Sequence, residues 1–93
     1  MSEPVRSVLA HDPALMLVRF AFRKGDRGAP HAHPHVQSTY VQSGRFRFEI
    51  CGRRFEVGPG DAFIIPSGAT HGCECLEEGV LIDSFTPRRD DFL

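Results

Sequence analysis

Apolar and polar residues alternate at every second position through much of this chain. In residues 15–23 (LMLVRFAFR), Met16, Val18, Phe20 and Phe22 fall together on one face; in residues 45–50 (RFRFEI), Phe46, Phe48 and Ile50 oppose Arg45, Arg47 and Glu49. A period of two is that of a β-strand, and one apolar face beside one polar face fits an antiparallel sheet covered on one side. No window of about ten residues keeps a helical period without a Gly or Pro interrupting it. Cys51-Gly52 predicts a tight hairpin between residues 45–50 and residues 53–57, and Gly58-Pro59-Gly60-Asp61 punctuates the passage to residues 62–66 (AFIIP). After Pro66-Ser67-Gly68 the pattern predicts two further short strands, residues 71–75 and 80–85, joined by a turn at residues 76–79 (LEEG). About seven short strands with frequent turns predict an all-β fold, a small sandwich or barrel.

Composition narrows the function classes. A chain of 93 residues has room for one domain, taken as residues 1–93. So small a domain buries a modest share of its surface, and a homodimer is the expected source of further stability. Eleven basic residues face twelve acidic ones for a formal charge of −1, and no basic run exceeds a pair such as Arg53-Arg54 or Arg88-Arg89. Nucleic acid is therefore not an expected partner. Every apolar run is far shorter than the roughly 20 residues a bilayer-crossing helix needs, so no membrane insertion is expected. Three cysteines, Cys51, Cys73 and Cys75, cannot complete a disulfide framework, and no N-terminal apolar run resembles a signal peptide. The expected location is the cytoplasm, with reduced thiols. The last five residues, 89–93 (RDDFL), read as a tail or a lid.

Three of the five histidines, His31, His33 and His35, fall within five positions. On a straight strand the six steps from His31 to Gln37 would span about 20 Å, too far for both to reach one ion. Pro34 offers the remedy, because it holds the preceding residue extended and cannot donate to a ladder, so the chain can run through His31 and His33 and then turn. His31 and His33, two apart, are expected on one strand face.

Here the sequence resembles the cupin superfamily. The first cupin motif is matched by Gly25, His31, His33, Gln37 and Gly44, and the second by Gly60, Pro66, Gly68 and His71, with every spacing kept. A trailing Asn usual in the second motif is absent, Cys75 standing in its place. The resemblance implies a small double-stranded β-helix, a jelly-roll barrel, with His31, His33, Gln37 and His71 converging on one divalent transition metal (Zn, Ni, Fe or Mn). Imidazole nitrogens and an amide oxygen suit such ions. His35 lies outside the pattern and is read as a neighbour at the rim; His11, beside Asp12-Pro13, is read as a surface residue. Cys73 and Cys75 share strand parity with His71, which leaves a thiol near the metal as a rival donor, against the alternative that both fill the core.

Residues 81–92 (LIDSFTPRRDDF), together with His31, His33 and Gln37, resemble more narrowly the small cupins of pectin and alginate breakdown that linearise 4,5-unsaturated uronates. That resemblance implies an isomerase on an acidic sugar, with Asp83 moving a proton, Phe85 facing the sugar ring and Arg89 clamping its carboxylate. Two other readings fit the same metal set: an Fe(II) dioxygenase, and a non-catalytic cupin binding a sugar acid.

Overall fold

The computed structural model describes residues 3–93. Seven strands make up nearly all of it: β1 (Val5–Asp12), β2 (Leu15–Phe22), β3 (Arg27–His31), β4 (Val36–Ile50), β5 (Arg53–Val57), β6 (Ala62–Ile65) and β7 (His71–Thr86), followed by one 3-10 turn, Asp90–Phe92. Every pairing is antiparallel. The main path runs β1-β2-β7-β4-β5, with β3 added to β7 and β6 added to β4.

β4 and β7, of 15 and 16 residues, form the spine and pair from Val36↔Thr86 to Ile50↔His71. Each end of β7 takes a different second partner, β3 at His71 and β2 at Phe85, which curls the spine into a barrel. The two short strands expected over residues 71–85 are thus one continuous strand, and residues 76–79 form no turn. Gly79 explains the difference. A Cβ there would lie 2.1 Å from the Ser43 carbonyl oxygen and 2.5 Å from the Gly44 Cα. The two backbones touch where the register shifts between Val41 and Phe46, so this glycine marks a bulged crossing rather than a chain reversal.

The hairpin at Cys51-Gly52 forms as expected, with φ of 48° and 83°, the paired positive values of a type I′ turn. The alternation in β2 and β4 also holds. Met16, Val18 and Phe22 are buried from β2, and Phe46 and Phe48 from β4. They divide between two clusters, one around Val41, Phe46 and Leu81 and one of Met16, Val18 and Phe85. β1 carries no clear alternation because it is an edge strand. Only Val8 along it is even partly buried, and a bulge between Val8 and Ala10 breaks its register with β2.

Candidate metal centre

A cavity of about 510 Å³ opens between β2, β3, β4 and β7, with His31, Gln37, His71, Asp83 and Arg89 in its wall. Pairing explains the convergence. His31, the last residue of β3, sits opposite His71, the first of β7. The strands come this close because Gly72 has no side chain, a Cβ there lying 2.9 Å from the Gly28 carbonyl oxygen. Further along β7, Asp83 is paired with Thr39 on β4 and Val18 on β2, while Gln37 is paired with Phe85 and Ile65.

His33 is not on β3, which ends at His31; it lies in the bend carrying Pro34. Its position comes from the facing loop instead. The Gly68 N–H donates to the His33 carbonyl at 2.9 Å, and the Ser67 hydroxyl donates to the Pro34 carbonyl. The loop that leads into His71 thereby holds the bend that carries His33. Ring centroids then stand 5.5 Å apart for His31–His33, 4.4 Å for His31–His71 and 4.9 Å for His33–His71. One ring nitrogen from each lies within 4.8 Å of the others.

The hydrogen bonds decide which nitrogens are available. Nδ1 of His31 faces the Ala29 carbonyl at 2.8 Å, Nδ1 of His33 the His35 carbonyl at 3.1 Å, and Nδ1 of His71 the Ala69 carbonyl at 2.9 Å. A carbonyl only accepts, so each Nδ1 carries the proton and each Nε2 keeps a free lone pair. Burial pulls the pKa of His33 and His71 below the ordinary imidazole value, which favours the neutral, ligating form.

The same logic extends to Gln37. Its amide nitrogen donates to the Thr39 hydroxyl at 3.1 Å, and Gln37 and Thr39 both hydrogen-bond the Asp83 carboxylate. The amide oxygen is thereby turned toward Nε2 of His33, 3.1 Å away. Two lone-pair atoms facing each other at this distance repel unless a proton or a metal ion lies between them, and donors sharing one ion at about 2.1 Å stand roughly 3–4 Å apart. The donor set therefore fits a divalent transition metal held by His31, His33, His71 and Gln37.

Asp83 is 5 % exposed, and its Oδ1 has no hydrogen-bond partner. Burial pushes its carboxyl up to about 7, against the bonds from Thr39 and Gln37 and the nearby Arg89 charge, all of which favour the ionised form. A carboxyl poised there can both take and give a proton near neutrality.

Arg89 has a side chain 13 % exposed, its Nη2 2.7 Å from Oδ2 of Asp91 and its Nε 3.3 Å from Oδ1. Its guanidinium carbon lies 4.0 Å above the Phe92 ring centre and 5.2 Å from that of Phe85. Residues 89–93 bring Arg89 and Phe92 into the wall of the cavity and leave Asp90, Asp91 and Leu93 exposed. The 3-10 turn packs Phe92 against Phe20 and Phe85, with Arg6 over the ring. Phe85 is only 1 % exposed, and its ring lies against His33, Phe92 and Arg89.

His35 stands beside the centre, its ring 5.4 Å from that of His33 and its carbonyl accepting from Nδ1 of His33. His11 is exposed at the end of β1. Cys73 lines the cavity but is no part of the three-histidine group, and burial pushes its thiol up to about 12. A thiol so disposed stays protonated, while Cys75 lies in the core. Thr39, fully buried beside Gln37 and Asp83, went unremarked in the sequence. Its signal is parity: a polar residue on the inward face of β4, between Gln37 and Val41.

Fold and site together define a small double-stranded β-helix with a histidine-centred cavity in its wall. A cupin-domain family model matches residues 18–84. The chain is 42% identical over 90 residues to the pectin degradation protein KdgF of Dickeya dadantii (strain 3937), covering 95% of this chain and 82% of that protein. Among solved structures, KdgF from Halomonas sp. superposes with a TM-score of 0.91 at 44% identity, covering 95% of this chain and 82% of that one. An RmlC-like cupin from Shewanella frigidimarina NCIMB 400 gives a TM-score of 0.92 at 40% identity, covering 95% and 79%. This chain belongs to the cupin family.

Proposed function

We propose that this protein acts in pectin breakdown, opening 4,5-unsaturated uronates to their linear keto forms with a divalent metal on His31, His33, Gln37 and His71. The observation that carries the reading is Asp83: a buried carboxyl with one unpartnered oxygen and a pKa of about 7, in the same cavity as Arg89, His31 and His71. The likeness to two KdgF proteins supports the substrate class.

Ring opening of such a sugar moves one proton and breaks one bond. Asp83 takes the proton of the C1 hydroxyl as C1 becomes an aldehyde and the C1–ring-oxygen bond breaks, leaving an enolate at C5. Returning that proton to C4 converts the enolate to a ketone, so the change is an isomerisation with no net loss of atoms. Arg89 binds the uronate carboxylate through its guanidinium, and Phe85 backs the wall on which the sugar ring rests. When bound, the metal supplies Lewis-acid polarisation of the sugar oxygens.

Residues 1–93 act as one cupin domain in this reading. We assign it to the cytoplasm on the strength of its three free thiols. A homodimer is supported by Val36, Tyr40 and Ile64, exposed apolar side chains on the outer surface of β4 and β6; light scattering on the purified protein tests it. Among the described residues no helix is long and apolar enough to cross a membrane.

The direct test incubates metal-loaded protein with 4,5-unsaturated galacturonate and follows the ultraviolet absorbance of the double bond. Acceleration over the spontaneous decay, lost in Asp83→Asn, is expected. No acceleration with any of Zn, Ni, Fe or Mn overturns the proposal. Iron-dependent oxygen uptake instead identifies a dioxygenase, and binding without turnover, indifferent to Asp83→Asn, identifies a sugar-acid binding protein.

A further inference from the structure

The bonds between Arg89 and Asp91 are arranged in a way that bears on ligand choice. A guanidinium offers two edges suited to a carboxylate, one formed by Nε and Nη2 and one by Nη1 and Nη2. Asp91 takes the first, with Oδ1 on Nε and Oδ2 on Nη2. The guanidinium carbon lies over the Phe92 ring, 4.0 Å from its centre. Arg6 lies over the same ring at 4.1 Å. Arg6 and Arg89 thus both pack on Phe92 and seat the turn.

From this geometry we infer that Asp91 is a positioning residue: by occupying the Nε/Nη2 edge of Arg89 it presents the Nη1/Nη2 edge to the cavity, and so sets the preference for a ligand carboxylate. The inference rests on the proposed role of Arg89. Arginine loses rotamer freedom when it binds an anion, and a side chain already held by its two bonds to Asp91 and its packing on Phe92 loses less. The contact with Arg89 also holds the Asp91 carboxyl below its ordinary range, so the pair stays charged through the neutral region. Asp90 serves as the internal control. It stands in the same turn and pairs with Arg88 at 2.7 Å, and neither residue lines the cavity.

The test measures binding of D-galacturonate and of D-galactose, its counterpart without the carboxylate, by calorimetry on metal-loaded protein. Asp91→Asn, Asp91→Glu, Asp90→Asn and Arg89→Gln are compared after melting curves confirm folding. Titrations in 1 M NaCl reduce the charge range to about 3 Å, removing the like-charge repulsion that Asp91 exerts on an anionic ligand. Asp91→Asn is expected to weaken galacturonate about threefold to tenfold and leave galactose unchanged, the worth of one immobilised side chain. Asp91→Glu restores most of the loss, and Asp90→Asn changes neither sugar. Unchanged or tighter galacturonate binding in Asp91→Asn, with Arg89→Gln weakening it, overturns this inference alone. Wild type that does not favour galacturonate over galactose, or Arg89→Gln without effect, overturns the role of Arg89 and this inference with it.

Discussion

Asp83→Asn should make the metal-free protein more stable at pH 8 and give no such gain at pH 4. In the fold the carboxyl is pushed up to about 7 from 3.8, so ionising it there costs about 4 kcal/mol at most. The sign follows from proton binding. Between those values the folded state holds the proton and the unfolded state releases it, so wild-type stability falls as pH rises from about 4 to about 7 and levels off beyond. The open cavity lets water reach part of the group and reduces the full cost. Asparagine cannot ionise, so it escapes this loss, while any packing penalty it brings is the same at every pH. The expected net gain at pH 8 is about 1–3 kcal/mol, or roughly 5–20 °C in melting temperature for a domain of this size. His33 and His71, whose charged forms burial disfavours, act in the opposite sense, but in both proteins, and drop out of the comparison. The assay is urea unfolding of chelator-treated wild type and variant at pH 4, 6 and 8. A difference in stability that stays constant with pH, or shifts toward wild type as pH rises, would refute the reasoning.

Adding Zn or Ni to chelator-treated protein should raise its melting temperature by about 10–20 °C at a hundredfold excess over the dissociation constant, where binding supplies about 2.7 kcal/mol. Differential scanning fluorimetry reads the rise, which His71→Ala should abolish and which should fade as acid protonates the imidazoles. Gly79→Ala should cost about 3 kcal/mol or more, since its Cβ would meet the Ser43 carbonyl oxygen at 2.1 Å with backbone on both sides; a urea midpoint like that of wild type would contradict the crossing. Native iodoacetamide labelling at pH 7.5 should modify the exposed Cys51 first, because burial pushes the Cys73 and Cys75 thiols up. Mass spectrometry showing Cys73 modified as fast as Cys51 would count against that.

What could be read from residues alone was the part governed by local periodicity and fixed spacing. Met16, Val18 and Phe46 announce their burial by alternation, and Cys51-Gly52 announces its turn by length. The long-range part was not legible in the same way. Residues 76–79 look like a turn because Gly79 ends an acidic pair, yet the glycine answers to Ser43 and Gly44 across the sheet. β1 was invisible because an edge strand buries too little to need a pattern. His33 was expected on a strand face with His31, but a bend tied to Ser67 and Gly68 carries it, and nothing near His33 in sequence states that tie. The packing of Phe92 against Arg6 and Arg89 brings residue 6 to residues 89 and 92 and has no local signature at all.

The amide at position 37 shows why the site must be read as a unit. The general cupin pattern allows Glu there, and a carboxylate would hold a metal ion more strongly than an amide does. Here the other end of that side chain meets Asp83, which accepts a hydrogen bond from Gln37 while buried at 5 % exposure. A Glu would turn a second acceptor oxygen toward a buried carboxylate, and two such groups in contact force one of them to keep its proton. Gln avoids that conflict because an amide is acceptor at one end and donor at the other. Its oxygen faces Nε2 of His33 and its nitrogen faces Thr39 and Asp83. The departure from the commoner residue is therefore what allows a histidine-centred site and an independently titrating acid to share one small cavity. Substituting either Gln37 or Asp83 changes the conditions under which the other is tolerable.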